Sequence, residues 1–362
     1  KMKKFLIVVF ALLCSVLVLA APKNIIVIMG DGMGMNHLFF SELLAQGKSL
    51  PVYTEQFEVR AVGTNTPMDT LITDSAAAAT AFFCGVRTNT SFLGLDPQEK
   101  EYDSLMKVFK NKGYTTGLIT NTRYNDATPA AAYAHTYSRH DTSKITQDLV
   151  DNDYIDFIVA GGLDKLGVNI FTAKPNPTSK LKDMADKGYD IYGLNYKKLF
   201  DHQKEYKGFR AFVAMGDKNF ENELFDNEMS FSRVVENTLT IADVKDPLFL
   251  FIECGRIDDA CHANKTESVA ADLLEFQKVV GLVLSKFDPA ETLFVIFADH
   301  ETGGLSMLAG ANDGTNIKIG WTIGDHTAAY IPILAKGPNS QLFNGKYHLS
   351  ELHNRILKAM AE

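Results

Sequence analysis

Cysteine is scarce in this chain, with four among 362 residues. Cys14 lies in the N-terminal stretch, which leaves Cys84, Cys254 and Cys261, an odd number that excludes a disulfide framework. Buried free thiols are the expectation, with a Cys254–Cys261 bridge as the alternative. Tryptophan occurs once, at Trp321, where it either walls a site or packs in the core. Basic residues are in deficit: 36 Lys and Arg against 44 Asp and Glu give a formal charge of −8. With no basic run beyond the first residues, a nucleic-acid-binding surface is excluded. Internal repeats and low-complexity linkers are also missing.

The first twenty residues stand apart. Lys1, Lys3 and Lys4 precede the apolar run Phe5–Leu13, and Val18-Leu19-Ala20 precedes a cut ahead of Ala21. That order reads as a secretory signal peptide over residues 1–20, too short at its apolar centre for a membrane span. A lipid-attachment reading at Cys14 is weakened by the bulky Leu13 before it. A periplasmic or secreted protein follows. Its removal takes three lysines and moves the formal charge to about −11.

The remainder, 21–362, reads as one domain, long enough to bury a large core. Asn24–Met29, Thr115–Thr120, Asp156–Ala160, Phe209–Ala214, Leu248–Glu253 and Thr292–Asp299 are apolar runs suited to buried parallel strands. Helical patterns over Asn36–Gln46, Ser104–Asn111, Phe231–Val244 and Ser268–Lys286 alternate with them. The expectation is an α/β fold: three layers, with a doubly wound, mostly parallel sheet and helices on both faces. Leu163–Asn227, rich in Lys, Asp, Asn, Tyr and Phe, reads as an insertion over or beside the sheet.

Doubly wound sheets bind ligands at the carboxyl ends of their strands. Asp31, Glu253, Asp258, Asp299 and His300 all fall at or just after such ends. Asp258 and His262 stand four apart, one face of a helix, and carboxylate with imidazole is a zinc-ligand pair. Asp299-His300 is a second pair, and His326 in Gly324-Asp325-His326-Thr327 is a distant third ligand. Separately, Thr73-Asp74-Ser75 runs into Ala76–Ala79, setting a hydroxyl at a helix N-terminus, where unpaired N–H groups favour an anion. Taken alone, each feature is ordinary: a capping serine, scattered acids, a close-packing alanine helix.

Together, and in this order, Gly30-Asp31-Gly32-Met33-Gly34, Thr73–Ala77, Asp126-Ala127-Thr128-Pro129-Ala130, Ser138-Arg139, Glu253–His262, Ala298–Gly304 and Gly324–Thr327 resemble the alkaline phosphatases of the short bacterial kind. The resemblance runs from Asn24 to about Pro338. It implies hydrolysis of phosphate monoesters through a phosphoserine on Ser75. Asp258, His262 and His326 are implied ligands of one zinc, and Asp31, Asp299 and His300 of a second. Asp31, Thr128 and Glu253 are implied ligands of a magnesium, with Asp126 in its outer shell. Arg139, oriented by Asp74, is the implied clamp on phosphate. A homodimer is implied as well. The chemistry of the donors agrees: oxygen alone for hard magnesium, imidazole for zinc.

Asp259 departs from the family, which carries Lys, His or Trp after the aspartate. Either its carboxylate faces Asp126 and weakens product phosphate or alters the third ion, or it points into solvent. His37, His135, His140, His202, His348 and His353 fit no ligand pattern. A phosphodiesterase or sulfatase of the same superfamily is disfavoured by Arg139 and the oxygen set of Thr128 and Glu253. A metal- or phosphate-scavenging protein without turnover is disfavoured by an intact Ser75 and Arg139.

Overall fold

The computed structural model describes residues 21–169, 174–175, 179–193, 198–200, 210–214, 230–241 and 247–361. The stretch 1–20, read above as a signal peptide, and much of 163–227 lie outside the described residues.

The strands expected at the centre are there because they are apolar along nearly their whole length. All seven residues of Asn24–Gly30 and of Leu248–Cys254 are buried, as are the six of Thr292–Phe297. Such runs suit strands covered on both faces, the situation inside a parallel sheet. Eleven of the described strands form one sheet. From one edge it runs Lys346–His348, Val59–Thr64, Ile331–Lys336, Thr292–Phe297 and Asn24–Gly30. It continues through Leu248–Cys254, Thr115–Arg123, Phe157–Gly161, Ala211–Ala214, Asp190–Tyr192 and Lys198–Phe200. Pairing is parallel except where Ile331–Lys336 meets its two neighbours and where Lys198–Phe200 meets Asp190–Tyr192.

Helices cover both faces. Met35–Gly47 and Phe231–Ile241 pack on the long Thr266–Lys286 helix, and Ser75–Cys84 packs on Leu349–Ala359. The fold is thus α/β with a mostly parallel sheet. Five of the eleven strands were not anticipated: Val59–Thr64, Asp190–Tyr192, Lys198–Phe200, Ile331–Lys336 and Lys346–His348. Val59–Thr64 buries only alternate residues, and Ile331–Lys336 carries Pro332, a residue that normally argues against a strand. Ala211–Ala214 and Asp190–Tyr192, from the region read as an insertion, extend the sheet beyond Phe157–Gly161. Cys84 is the last residue of the Ser75 helix.

Register fixes where the chemistry lies. Met29 pairs with both Glu253 and Phe297, and Glu253 pairs with Thr120. Asp31, Glu253 and Asp299 therefore emerge at the same end of three adjacent strands.

Candidate active site

Ser75 owes its position to Asp74. The Asp74 Oδ1 accepts the Ala77 N–H at 3.0 Å and caps the Ser75–Cys84 helix, which ends at Gly85 in the left-handed region. All ten residues of that helix are buried, and the small side chains of Ala76–Ala79 allow its close seating. The Ser75 Oγ lies 3.1 Å from His300 Nε2. Asp74 uses its other oxygen on the Ser91 N–H at 3.0 Å and on the Arg139 guanidinium at 3.3 Å. Arg139 reaches Asp126 Oδ1 at 3.2 Å on its other side. Burial works against the charge on Arg139, but Asp126 and Asp74 outweigh it and raise its pKa.

Three imidazoles share one design. His262 Nδ1 lies 3.0 Å from the Gly324 carbonyl and His326 Nδ1 lies 2.8 Å from the Thr73 carbonyl. His300 Nδ1 lies 3.1 Å from Thr302 Oγ1, whose own proton goes to Asp258 Oδ1 at 2.5 Å. With every Nδ1 committed as a donor, each Nε2 is left as a lone pair. Those lone pairs converge: His262 and His326 Nε2 are 3.1 Å apart, and the His300 and His326 rings stack at 3.6 Å. Asp258 sits among them, 3.3 Å from His262 and 3.7 Å from His326. The helix expected for Asp258 and His262 is Arg256–His262.

The second cluster is Asp31, Asp299 and His300. Asp299 Oδ1 accepts from the Gly32 and His300 N–H groups at 3.1 and 2.9 Å. Its Oδ2 and Asp31 Oδ1 are buried without a hydrogen-bond partner, although His300 Nε2 stands 3.1 and 3.4 Å away. Donor atoms of Asp31, Asp299 and His300, of Asp258, His300 and His326, and of His262, Asp325 and His326 each lie within 4.8 Å of one another. Stranded carboxylate oxygens and facing lone pairs are what a divalent cation relieves. The residues fit such an ion.

Electrostatics tells the same story. Burial first, then the charges of Asp299, Asp258, Glu253 and Asp126, push Asp31 well above the usual carboxylate range. Glu253 is pushed up to about 8, chiefly by burial, against the opposing hydrogen bonds from Thr120 and Thr122. Thr128 Oγ1 lies 3.4 Å from Asp31 Oδ2, beside the same carboxylates. Burial would raise Asp258, but the His262 hydrogen bond and the three imidazole charges hold it well below its ordinary value. His262 is raised to about 9, first by its hydrogen bond with Asp258.

Asp259, the cysteines and Trp321 were each open to two readings. Asp259 is half-exposed and holds Arg256 at 2.7 Å on its own helix, while the Asp126 carboxylate is engaged by Arg139. Cys84, Cys254 and Cys261 are buried free thiols. Trp321 donates to Thr266 Oγ1 at 3.0 Å and packs near His37. Thr302 and Asp325 went unassigned in the sequence. The signal was present for Asp325, since Asp325-His326 repeats the Asp299-His300 dipeptide.

Gly32 lets the two clusters approach. It sits at φ +70°, and a Cβ there would lie 2.8 Å from Asp258 Oδ1 and 2.9 Å from Thr302 Oγ1. Gly32→Ala adds left-handed strain to overpacking worth about 1–3 kcal/mol. The expected outcome is a fall of at least about tenfold in kcat/KM with a lower Tm, measured on a chromogenic monoester.

Imidazole and carboxylate clusters at the carboxyl ends of a parallel sheet define a metal-binding enzyme of the α/β class. The chain belongs to the alkaline phosphatase family, whose model, described as alkaline phosphatase, matches residues 22–317. It is an alkaline phosphatase enzyme, hydrolysing phosphate monoesters. Alkaline phosphatase 3 of Bacillus subtilis is 25% identical over 423 residues, covering 93% of this chain and 89% of that one. The tissue-nonspecific alkaline phosphatase of Rattus norvegicus is 27% identical, covering 77% and 63% respectively. The structure of alkaline phosphatase from the Antarctic bacterium TAB5 superposes with a TM-score of 0.80 at 25% identity, over 95% of this chain and 99% of that one. A mutant of that enzyme has been solved with Mg bound in its M3 site.

Proposed function

We propose that Ser75 is the nucleophile and that the reaction passes through a phosphoserine. The observation that carries this reading is the convergence of three Nδ1-anchored imidazoles on the region of the Ser75 Oγ, 3.1 Å from the nearest of them. Asp258, His262 and His326 would hold one zinc ion, Asp31, Asp299 and His300 a second, and Asp31, Thr128 and Glu253 a magnesium, with Asp126 in its outer shell. When bound, these ions supply Lewis-acid charge for the attacking and leaving oxygens and favour the serine alkoxide.

The protein's own groups do the rest. Arg139, held flat between Asp74 and Asp126, offers a planar, permanently charged fork to two non-bridging phosphate oxygens. The Ser75 Oγ attacks phosphorus, the ester P–O bond breaks, and the alcohol leaves with a proton. Water then attacks the phosphoserine, releasing inorganic phosphate and restoring the hydroxyl. Buried Ser75, at the start of its helix, meets the anion on the positive end of the helix dipole.

Turnover of chromogenic mono- and diesters, with and without a chelator, tests the reading. A monoester preference lost on chelation supports it, with two zinc and one magnesium per chain by metal analysis. A diester preference would return the superfamily phosphodiesterase reading, and metal uptake without turnover the scavenger. We extend the proposal to one catalytic domain over 21–362, a cleaved N-terminal signal with periplasmic or secreted location, and a homodimer. Asp259→Lys is expected to tighten inhibition by product phosphate; unchanged inhibition removes Asp259 from the site.

A further inference from the structure

His37 lies on the Met35–Gly47 helix, fully buried, and belongs to neither cluster. Its Nε2 is 3.2 Å from Cys261 Sγ, and its Nδ1 faces Glu301 Oε1 at 3.8 Å without a hydrogen-bond partner. Cys261 Sγ and His37 Nε2 thus share a hydrogen bond, and the other ring nitrogen is turned toward Glu301. Glu301 is itself fixed: Oε1 accepts the Leu305 N–H at 3.2 Å, and Oε2 accepts from Thr327 Oγ1.

The members of this chain have a common address. Cys261 precedes His262, Glu301 follows His300, and Thr327 follows His326. Glu301 and Thr327 also pair across a two-residue ladder, as do Thr302 and His326. His37 thus bonds the residue beside His262 and faces the residue beside His300, which in turn holds the residue beside His326.

We propose that His37 is a positioning residue that, through Cys261, Glu301 and Thr327, holds the three imidazoles in register for metal binding. The inference rests on the ligand assignment made under Proposed function. Partners outside a ligand set typically change metal affinity by about 10–100-fold when removed. Removing His37 takes one side-chain anchor from the segment that carries His262.

Zinc affinity of His37→Leu, by competition with a chromophoric chelator, is the direct measurement. The expected result is binding weakened at least about tenfold. At limiting zinc kcat should fall, with recovery in excess zinc and an unchanged KM for the monoester. A purely structural role would lower Tm but leave zinc affinity intact, and that result overturns the proposal. If His37→Leu does not fold, Glu301→Gln, which keeps an acceptor for Thr327 but alters the side facing His37, is expected to weaken zinc in the same direction. Unchanged affinity in Glu301→Gln counts against the proposal. His326→Ala separates the two readings. If it leaves zinc binding untouched the ligand assignment fails, whereas loss in His326→Ala with none in His37→Leu defeats the positioning role alone.

Discussion

Ser75→Ala is expected to lower kcat/KM for a chromogenic phosphate monoester by at least about 10³-fold, the scale seen when a lone nucleophile is deleted. The change is mild for the fold. Asp74 caps the helix with its own side chain, and alanine at 75 continues the run Ala76–Ala79. Stability should therefore stay within about 1 kcal/mol. Bound metal should stay as well, because the Ser75 Oγ touches His300 without fixing its ring; Thr302 does that. Activity, Tm and metal content measured on one preparation check all three. A variant keeping more than a tenth of wild-type turnover, with metal in place, would end the case for Ser75 as nucleophile.

The second large effect is on removing metal, and its size depends on pH in a direction the site dictates. Glu253, ordinarily at 4.5, is raised to about 8, and Asp31 is raised too. The folded, metal-free protein binds protons that the unfolded chain has already released. Their contribution to stability is lost as pH rises through the folded values. His262, ordinarily at 6.5 and raised to about 9, acts in the same sense: its contribution is complete below 6.5 and gone above about 9. His37, lowered by burial to about 4, acts oppositely, but only below its ordinary 6.5. Between pH 7 and 9 every large shift therefore points one way. The Tm of chelated protein should fall by at least about 5 °C across that window. Ligands bind metal only when deprotonated, so the loaded protein should fall less, and the gap between the two forms should widen with pH. Differential scanning fluorimetry at pH 7, 8 and 9 with and without chelator measures it. A gap that narrows would mean that the acids and imidazoles do not share ions.

Much of this site was legible because its chemistry is written in short spacings. Asp258 and His262, four apart, do lie on one helix with their side chains 3.3 Å apart. Asp299-His300 does turn at a strand end, and Ser75 does open a helix. What escaped is what depends on approach between distant segments. Thr302 reads as an ordinary residue after His300 until Asp258 is found at its hydroxyl. His37 is separated from Cys261 by more than two hundred residues, and nothing local joins them. Asp259 was read against a family pattern, while its actual partner, Arg256, stood three residues away on the same helix. The antiparallel part of the sheet was hidden by Pro332, which lies just outside the ladder with Thr292–Phe297, as that ladder begins at Ile333.

Asp74 has a consequence that reaches past geometry. One oxygen closes the first turn of the Ser75 helix, and the other secures Arg139 and the Ser91 amide. The proposed nucleophile and the proposed phosphate clamp are thus hinged on a single carboxylate. Loosening that carboxylate detaches both at once, so the catalytic mouth fails as a unit and does not wear away residue by residue.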